Sequence, residues 1–121
     1  MTMQRQALGI LGETLGVAEL ERRGYAILAR RYRAPQGEID IVAKDGDTIV
    51  FVEVKVKETA EFGTAADAVT VRKQRKVVSV AVDYLARHRL TRSPCRFDVV
   101  AIDGSGDQAV LTYYRAAFSA D

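Results

Sequence analysis

Four charged residues in one apolar stretch have the types and spacing for metal-assisted chemistry on a phosphate. Residues 37–57 read GEIDIVAKDGDTIVFVEVKVK, strand-forming sequence interrupted by Glu38, Asp40, Glu53 and Lys55. Asp45-Gly46 between the two apolar runs is a strong hairpin signal. With that dipeptide as the turn, Lys44 pairs with Asp47, Val42 faces Ile49, Asp40 faces Phe51 and Glu38 faces Glu53. Side chains alternate along a strand, so the four charged residues are expected on one face. Asp40 is then one diagonal step from Glu53, about 7–8 Å, within reach of a shared point. Carboxylates on a partly buried face need a proton, donors or a cation. Lys55 is one candidate. A divalent cation is another, and Mg²⁺ (or Mn²⁺) suits carboxylates that meet phosphate. A Glu-x-Lys alone usually marks a solvated face or a local ion pair. Asp40 at matching register, and Glu13 inside an apolar helix stripe, move the balance toward a functional site.

The elements that must position these residues follow from periodicity and punctuation. Residues 6–23 predict a helix stopped by Gly24. Ile10, Glu13, Val17 and Leu20 form one stripe of it, and Leu8, Leu11, Leu15 and Ala18 a second, so both sides are expected to be largely buried. Strands are predicted at Tyr25–Arg33, Glu38–Ala43 and Thr48–Lys57, with 58–69 as a loop or short helical turn. Thr70 predicts an N-cap for a helix over Val71–Arg89, with Val71, Val78, Ala81, Val82 and Leu85 on its apolar face. Strands at Arg96–Asp103 and Gln108–Arg115 complete the chain, and Ala116–Asp121 reads as a loosely held tail. The order α-β-β-β-α-β-β predicts an α/β fold, a mixed central sheet flanked by helices.

The totals set bounds. A chain of 121 residues predicts a single domain over 1–121. The net charge of +2 makes no general case for nucleic acid, so that case rests on where the charges cluster. Arg72, Lys73, Arg75 and Lys76 crowd the start of the second helix, and Arg30, Arg31 and Arg33 form a cluster before Pro35. Such charges contact phosphates without reading sequence. One cysteine, Cys95, excludes an internal disulfide, and one histidine, His88, excludes two-His metal sites. Without an apolar run of spanning length, a soluble cytoplasmic protein with no membrane partner is expected. Cys95 is expected to be buried, His88 on the surface, Asp98 in an ion pair or turn contact, and Tyr113-Tyr114 at a sheet edge or dimer contact. Gly9, Gly12 and Gly16 lack the lysine and preceding strand of a phosphate loop and predict close helix packing.

Asp40 followed after a hairpin by Glu53-Val54-Lys55 resembles the PD-(D/E)XK nuclease motif, with Ile39 where the motif's name has Pro. Glu13 matches the helix acid of the archaeal Holliday-junction-resolvase branch. Gly12-Glu13, Gly24-Tyr25, Ile27-Leu28, Gly37-Glu38-Ile39-Asp40, Phe51-Val52-Glu53-Val54-Lys55, Phe62-Gly63, Lys73, Tyr84-Leu85 and Arg96-Phe97-Asp98-Val99-Val100 resemble the YraN-like family of small bacterial proteins across almost the whole chain. Lys57 and Arg31 depart from that family's usual Arg and Asn. The resemblance implies a restriction-endonuclease-like fold and a DNA partner. It implies catalytic roles for Glu13, Asp40, Glu53 and Lys55, with Asp40, Glu53 and the Val54 carbonyl holding Mg²⁺ and Glu38 as an outer ligand. The alternative is a nucleic-acid-binding module without turnover. A homodimer, through a β-edge or the tail, is a further expectation.

Overall fold

The computed structural model describes residues 3–61 and 63–120, with side chains from residue 8 onward; Phe62 of the Phe62-Gly63 pair lies outside them. Ile49, Val50, Phe51 and Val52 are consecutive and all buried, so the strand that carries them must be covered on both faces. That strand, β3 (Thr48–Lys57), is the third of five, after β1 (Ala26–Ala34) and β2 (Gly37–Asp45) and before β4 (Cys95–Asp103) and β5 (Val110–Phe118). The sheet order is β1-β2-β3-β4-β5, with β3 and β4 parallel and the other neighbours antiparallel. A parallel pair needs a crossover, supplied here by α2 (Val71–Arg87). With α1 (Met3–Arg22) the order is the expected α-β-β-β-α-β-β.

Each helix ends for a local reason. Gly24 at φ +86 stops α1, and the Tyr25 N–H donates to the Leu20 carbonyl across it. Thr70 caps α2, its Oγ1 accepting the Lys73 N–H at 3.3 Å. One face of the sheet packs Leu20 of α1 against Ile41, Val50, Val52 and Val100; the other packs Val77, Val80, Ala81 and Tyr84 of α2 against Ile39, Ile49 and Phe51. Gly12 and Gly16 let α1 approach. A β-carbon at Gly12 would collide with Val56, and one at Gly16 would lie 3.2 Å from Val54 Cγ2. Gly9 has open space around it and does not share that role.

Several expectations are corrected. The hairpin pairs Asp45 with Thr48 and Ile41 with Val52, two residues out of the predicted register. Gly46, at φ +59, takes the first of two central turn positions instead of the second. An offset of two preserves the faces. The alternation breaks at Asp40, however, because Ile39 packs on the α2 side and Ile41 on the α1 side. Neither predicted stripe of α1 is buried whole: among the described residues Glu13, Glu19 and Leu20 are buried, while Ile10 of the first stripe and Leu11 and Leu15 of the second are exposed. Val71 and Val82 of α2 are exposed, because the buried spacing is Val77, Val80, Ala81, Tyr84. Cys95, the first residue of β4, is exposed. The tail is held as far as Phe118, whose ring stacks on Phe97 at 5.1 Å.

Candidate active site

The β2–β3 ladder runs from the turn to Ile41 and Val52, and one further step in that register sets Asp40 against Glu53. There the strands stop exchanging backbone bonds, and the Val54 N–H donates instead to Asp40 Oδ2 at 2.7 Å. A strand residue's N–H and C=O point to the same side. The Val54 carbonyl is therefore directed toward β2, beside Asp40. Glu53 is 5% exposed. Burial, the hydrogen bond shared with Asp40 and the Asp40 charge push the Glu53 carboxyl up to about 9, against the opposing pull of Lys73 and Lys55. Raised that far, the Glu53 carboxyl favours its protonated form at neutral pH.

Two amines stand at this pair. Burial and the nearby Lys73 charge hold Lys55 below the ordinary lysine range, while Glu53 and Asp40 act the other way. Lys73 Nζ lies 3.9 Å from Glu53 Oε1. From sequence Lys73 belongs with Arg72, Arg75 and Lys76 as a phosphate contact. The structure separates them: the other three are exposed, whereas Lys73 is half-buried over Glu53. The signal missed was its place in the capped first turn of α2, which fixes where its stem starts.

Glu13 is buried on α1, and its two oxygens are taken: Oε1 accepts Arg30 Nε at 3.0 Å and Oε2 accepts Arg31 Nε at 3.0 Å. Glu38 accepts Arg33 Nε at 2.8 Å on the surface. Neither carboxylate joins the pair. Among the described residues no three His, Cys, Asp or Glu side chains converge as a metal-binding group. What converges is two carboxylates with a carbonyl directed beside them. That set fits Mg²⁺, which typically takes one or two carboxylates, keeps several waters and shares the substrate's phosphate oxygens. Glu13, Arg31, Arg33, Glu38, Asp40 and Val54 line one open cleft of about 520 Å³.

On the neighbouring strand β4, opposite Val52, Asp98 is fully buried. Arg96 Nε donates to both its oxygens, at 3.1 and 3.2 Å, the Tyr113 hydroxyl donates to Oδ2, and the Ala116 N–H donates at 2.9 Å. The ion pair expected for Asp98 is present, and Tyr113 is part of it. His88 is on the surface, as expected.

A mixed five-stranded sheet between two helices, with an acidic pair where the central hairpin parts, defines a small α/β domain of restriction-endonuclease-like fold. A model of the uncharacterised protein family UPF0102 matches residues 12–102, and the chain belongs to that family, the YraN-like group its motifs resemble. It is 44% identical over 118 residues to a UPF0102 protein of Geobacter metallireducens, covering 98% of this chain and 97% of that protein. It is 42% identical over 121 residues to one of Syntrophotalea carbinolica, covering 100% and 98%. Among the described residues no helix is long and apolar enough to cross a membrane.

Proposed function

We propose that this protein is a metal-dependent nuclease that hydrolyses DNA phosphodiester bonds, with branched or flapped DNA as the candidate substrates. One observation carries the reading: two carboxylic acids, Asp40 bonded by the Val54 N–H and Glu53 deeply buried, stand where the central hairpin parts, with Lys73 3.9 Å from Glu53. A scaffold gains nothing from such a pair, because burying like charges together costs free energy. A site that takes a divalent cation gains a ligand set. When bound, Mg²⁺ or Mn²⁺ supplies Lewis-acid polarisation of a phosphoryl oxygen and activation of a water.

Asp40, Glu53 and the Val54 carbonyl would hold the cation, with Glu53 ligating as its carboxylate. Asp40 is kept in place by the Val54 N–H, so its other oxygen is the one presented. Lys55 orients the attacking water or meets the charge that grows on the phosphoryl oxygens. Lys73 screens Glu53 and keeps the site's net charge compatible with a phosphate. Arg72, Arg75 and Lys76 contact backbone phosphates further along α2.

The second reading, a nucleic-acid-binding module without turnover, draws on the engagement of Glu13 by two arginines, which leaves the site with two acids instead of three. One assay separates the readings. Labelled duplex, flap and four-way-junction DNA are incubated with Mg²⁺ or Mn²⁺. Wild type is expected to cut at least one substrate, while Asp40→Ala, Glu53→Ala and Lys55→Ala lose on the order of 10³-fold in rate. Binding without cutting under either metal sinks the nuclease reading.

A further inference from the structure

Arg30 and Arg31 are sequence neighbours, and neighbours in a strand point to opposite faces. Here both bond the same carboxylate, that of Glu13. The backbone makes this possible at a cost: Arg31 adopts φ 52, a left-handed conformation that an arginine rarely takes. The ladder with β2 pairs Arg30 with Ile41 and Tyr32 with Ile39, so the left-handed Arg31 falls opposite Asp40 without shifting the register at that point. Strain placed there turns two guanidiniums to one side, next to the acid pair.

The bonding pattern says what they are turned for. Arg30, Arg31 and Arg33 are each anchored through Nε, on Glu13 Oε1, Glu13 Oε2 and Glu38 Oε2. A guanidinium has five N–H donors, and Nε carries one of them. The terminal nitrogens, which form the fork that matches a phosphate, stay available. Among the described residues their one further partner is Thr14 Oγ1, 3.5 Å from Arg30. Arg31 and Arg33 line the cleft that Asp40 lines. Glu13 itself is buried while both guanidiniums are about half exposed, so the anchor is inside and the forks are outside.

We infer that Glu13 is a positioning residue that holds Arg30 and Arg31 as a fork for a backbone phosphate neighbouring the one at Asp40 and Glu53, so that the cleft takes a polynucleotide strand and not an isolated phosphate. The inference deepens the nucleic-acid reading above and rests on it. It assigns Glu13 a role apart from the metal.

The test exploits a sign. Glu13→Gln removes a negative charge, and if Glu13 only repelled the backbone the variant would bind nucleic acid more tightly. If Glu13 orients the fork, the variant binds about tenfold more weakly despite its higher net charge. The measurement is anisotropy of labelled duplex DNA, with single-stranded DNA and RNA as parallel arms, in EDTA at low salt so that cleavage plays no part. Arg31→Lys keeps the charge but lacks the fork, and is expected to weaken binding while leaving the salt slope near wild type. Circular dichroism checks folding of each variant. Should Glu13→Gln unfold, Arg31→Lys alone decides, since wild-type affinity in that variant overturns the inference. Equal or tighter binding by a folded Glu13→Gln overturns it as well, as does the absence of binding by wild type in every arm. Weakened binding in any arm supports it and names the backbone. A protein that shows this pattern yet cuts nothing retains the fork and loses only the nuclease reading. Where cleavage is measurable, Glu13→Gln raises KM with kcat near wild type.

Discussion

Glu53 and Asp98 are both buried carboxylic acids on the two parallel central strands, and their surroundings are opposite. Asp98 is met by donors alone: Arg96, the Tyr113 hydroxyl and the Ala116 N–H. Burial works against the Arg96 charge, yet hydrogen bonds to Asp45 and Asp98 more than offset it and hold that arginine above its ordinary pKa. Burial and the bond to Asp98 likewise push the Tyr113 phenol up. Glu53 is met by another acid, and its closest cation is 3.9 Å away. A buried charge with matched donors organises a scaffold; one set against a like charge is waiting for something that is not protein. The contrast separates the two acids where burial alone would rank them together, and under the proposed function it assigns Asp98 to the scaffold and Glu53 to the site.

Substitution at Asp98 should break the scaffold side of the comparison with the largest effect. Asp98→Ala leaves Arg96 buried with half its compensation gone, and another Arg96 nitrogen, Nη2, is already buried without a partner among the described residues. The expected loss is about 3–5 kcal/mol of unfolding free energy, read by urea titration. Cleavage per folded molecule should be unchanged at low temperature. Glu53→Gln should do the reverse, removing cleavage while leaving stability at pH 5 near wild type. If Asp98→Ala abolishes activity in molecules that are still folded, the division between the two acids fails.

The pH dependence of stability sharpens the same contrast at smaller amplitude. Glu53 is raised from an unfolded value near 4.5 to about 9. Between those values the folded chain carries a proton that the unfolded chain has released. Its contribution is therefore fully present below about pH 4.5 and declines as pH rises toward 9. In EDTA the wild-type Tm should fall across this window, and Glu53→Gln should flatten the fall. The gap between the two proteins should be near zero at the acid end and widest at the alkaline end. A gap that is constant with pH would mean that Glu53 is ionised throughout, and that the acid pair holds no proton.

Much of this arrangement was legible in the residues because it depends on local chemistry. Thr48–Lys57 and the Thr70 cap were readable from alternation and from a side-chain oxygen before an apolar run. The Asp40–Glu53 pairing survived a register error because the error was even, and the true register brings the two closer than the diagonal step predicted. What was not legible depends on departures from regular geometry. Glu13 was recognisable as out of place in its stripe, but its partners follow from one left-handed residue, Arg31, that no pattern announces. Glu38 lines the same cleft as Asp40, but its carboxylate is taken up by Arg33, a pairing that strand alternation does not announce. The exposure of Leu11 and Leu15 follows from how far α1 sinks between its neighbours, which the glycine contacts set and hydrophobicity does not.

The smallest expected effect tests how Lys73 comes to stand on the functional side. Its backbone N–H is the one that Thr70 caps, so cap and site share a residue. Thr70→Ala should cost about 1 kcal/mol, the usual value of an N-cap, and fray the first turn of α2. Fraying loosens Lys73 from Glu53 without removing either side chain, so Thr70→Ala should reduce cleavage by less than Lys73→Ala does. Val77, Val80 and Tyr84 are buried from the second turn onward, and they hold the rest of the helix whatever happens at its start. If Thr70→Ala lowers stability as expected but leaves cleavage at the wild-type rate, Lys73 is placed by packing of its own stem, and the cap serves the helix alone. If both fall together, the first turn of α2 couples the scaffold to the acid pair, and the boundary between the two regions runs through Lys73.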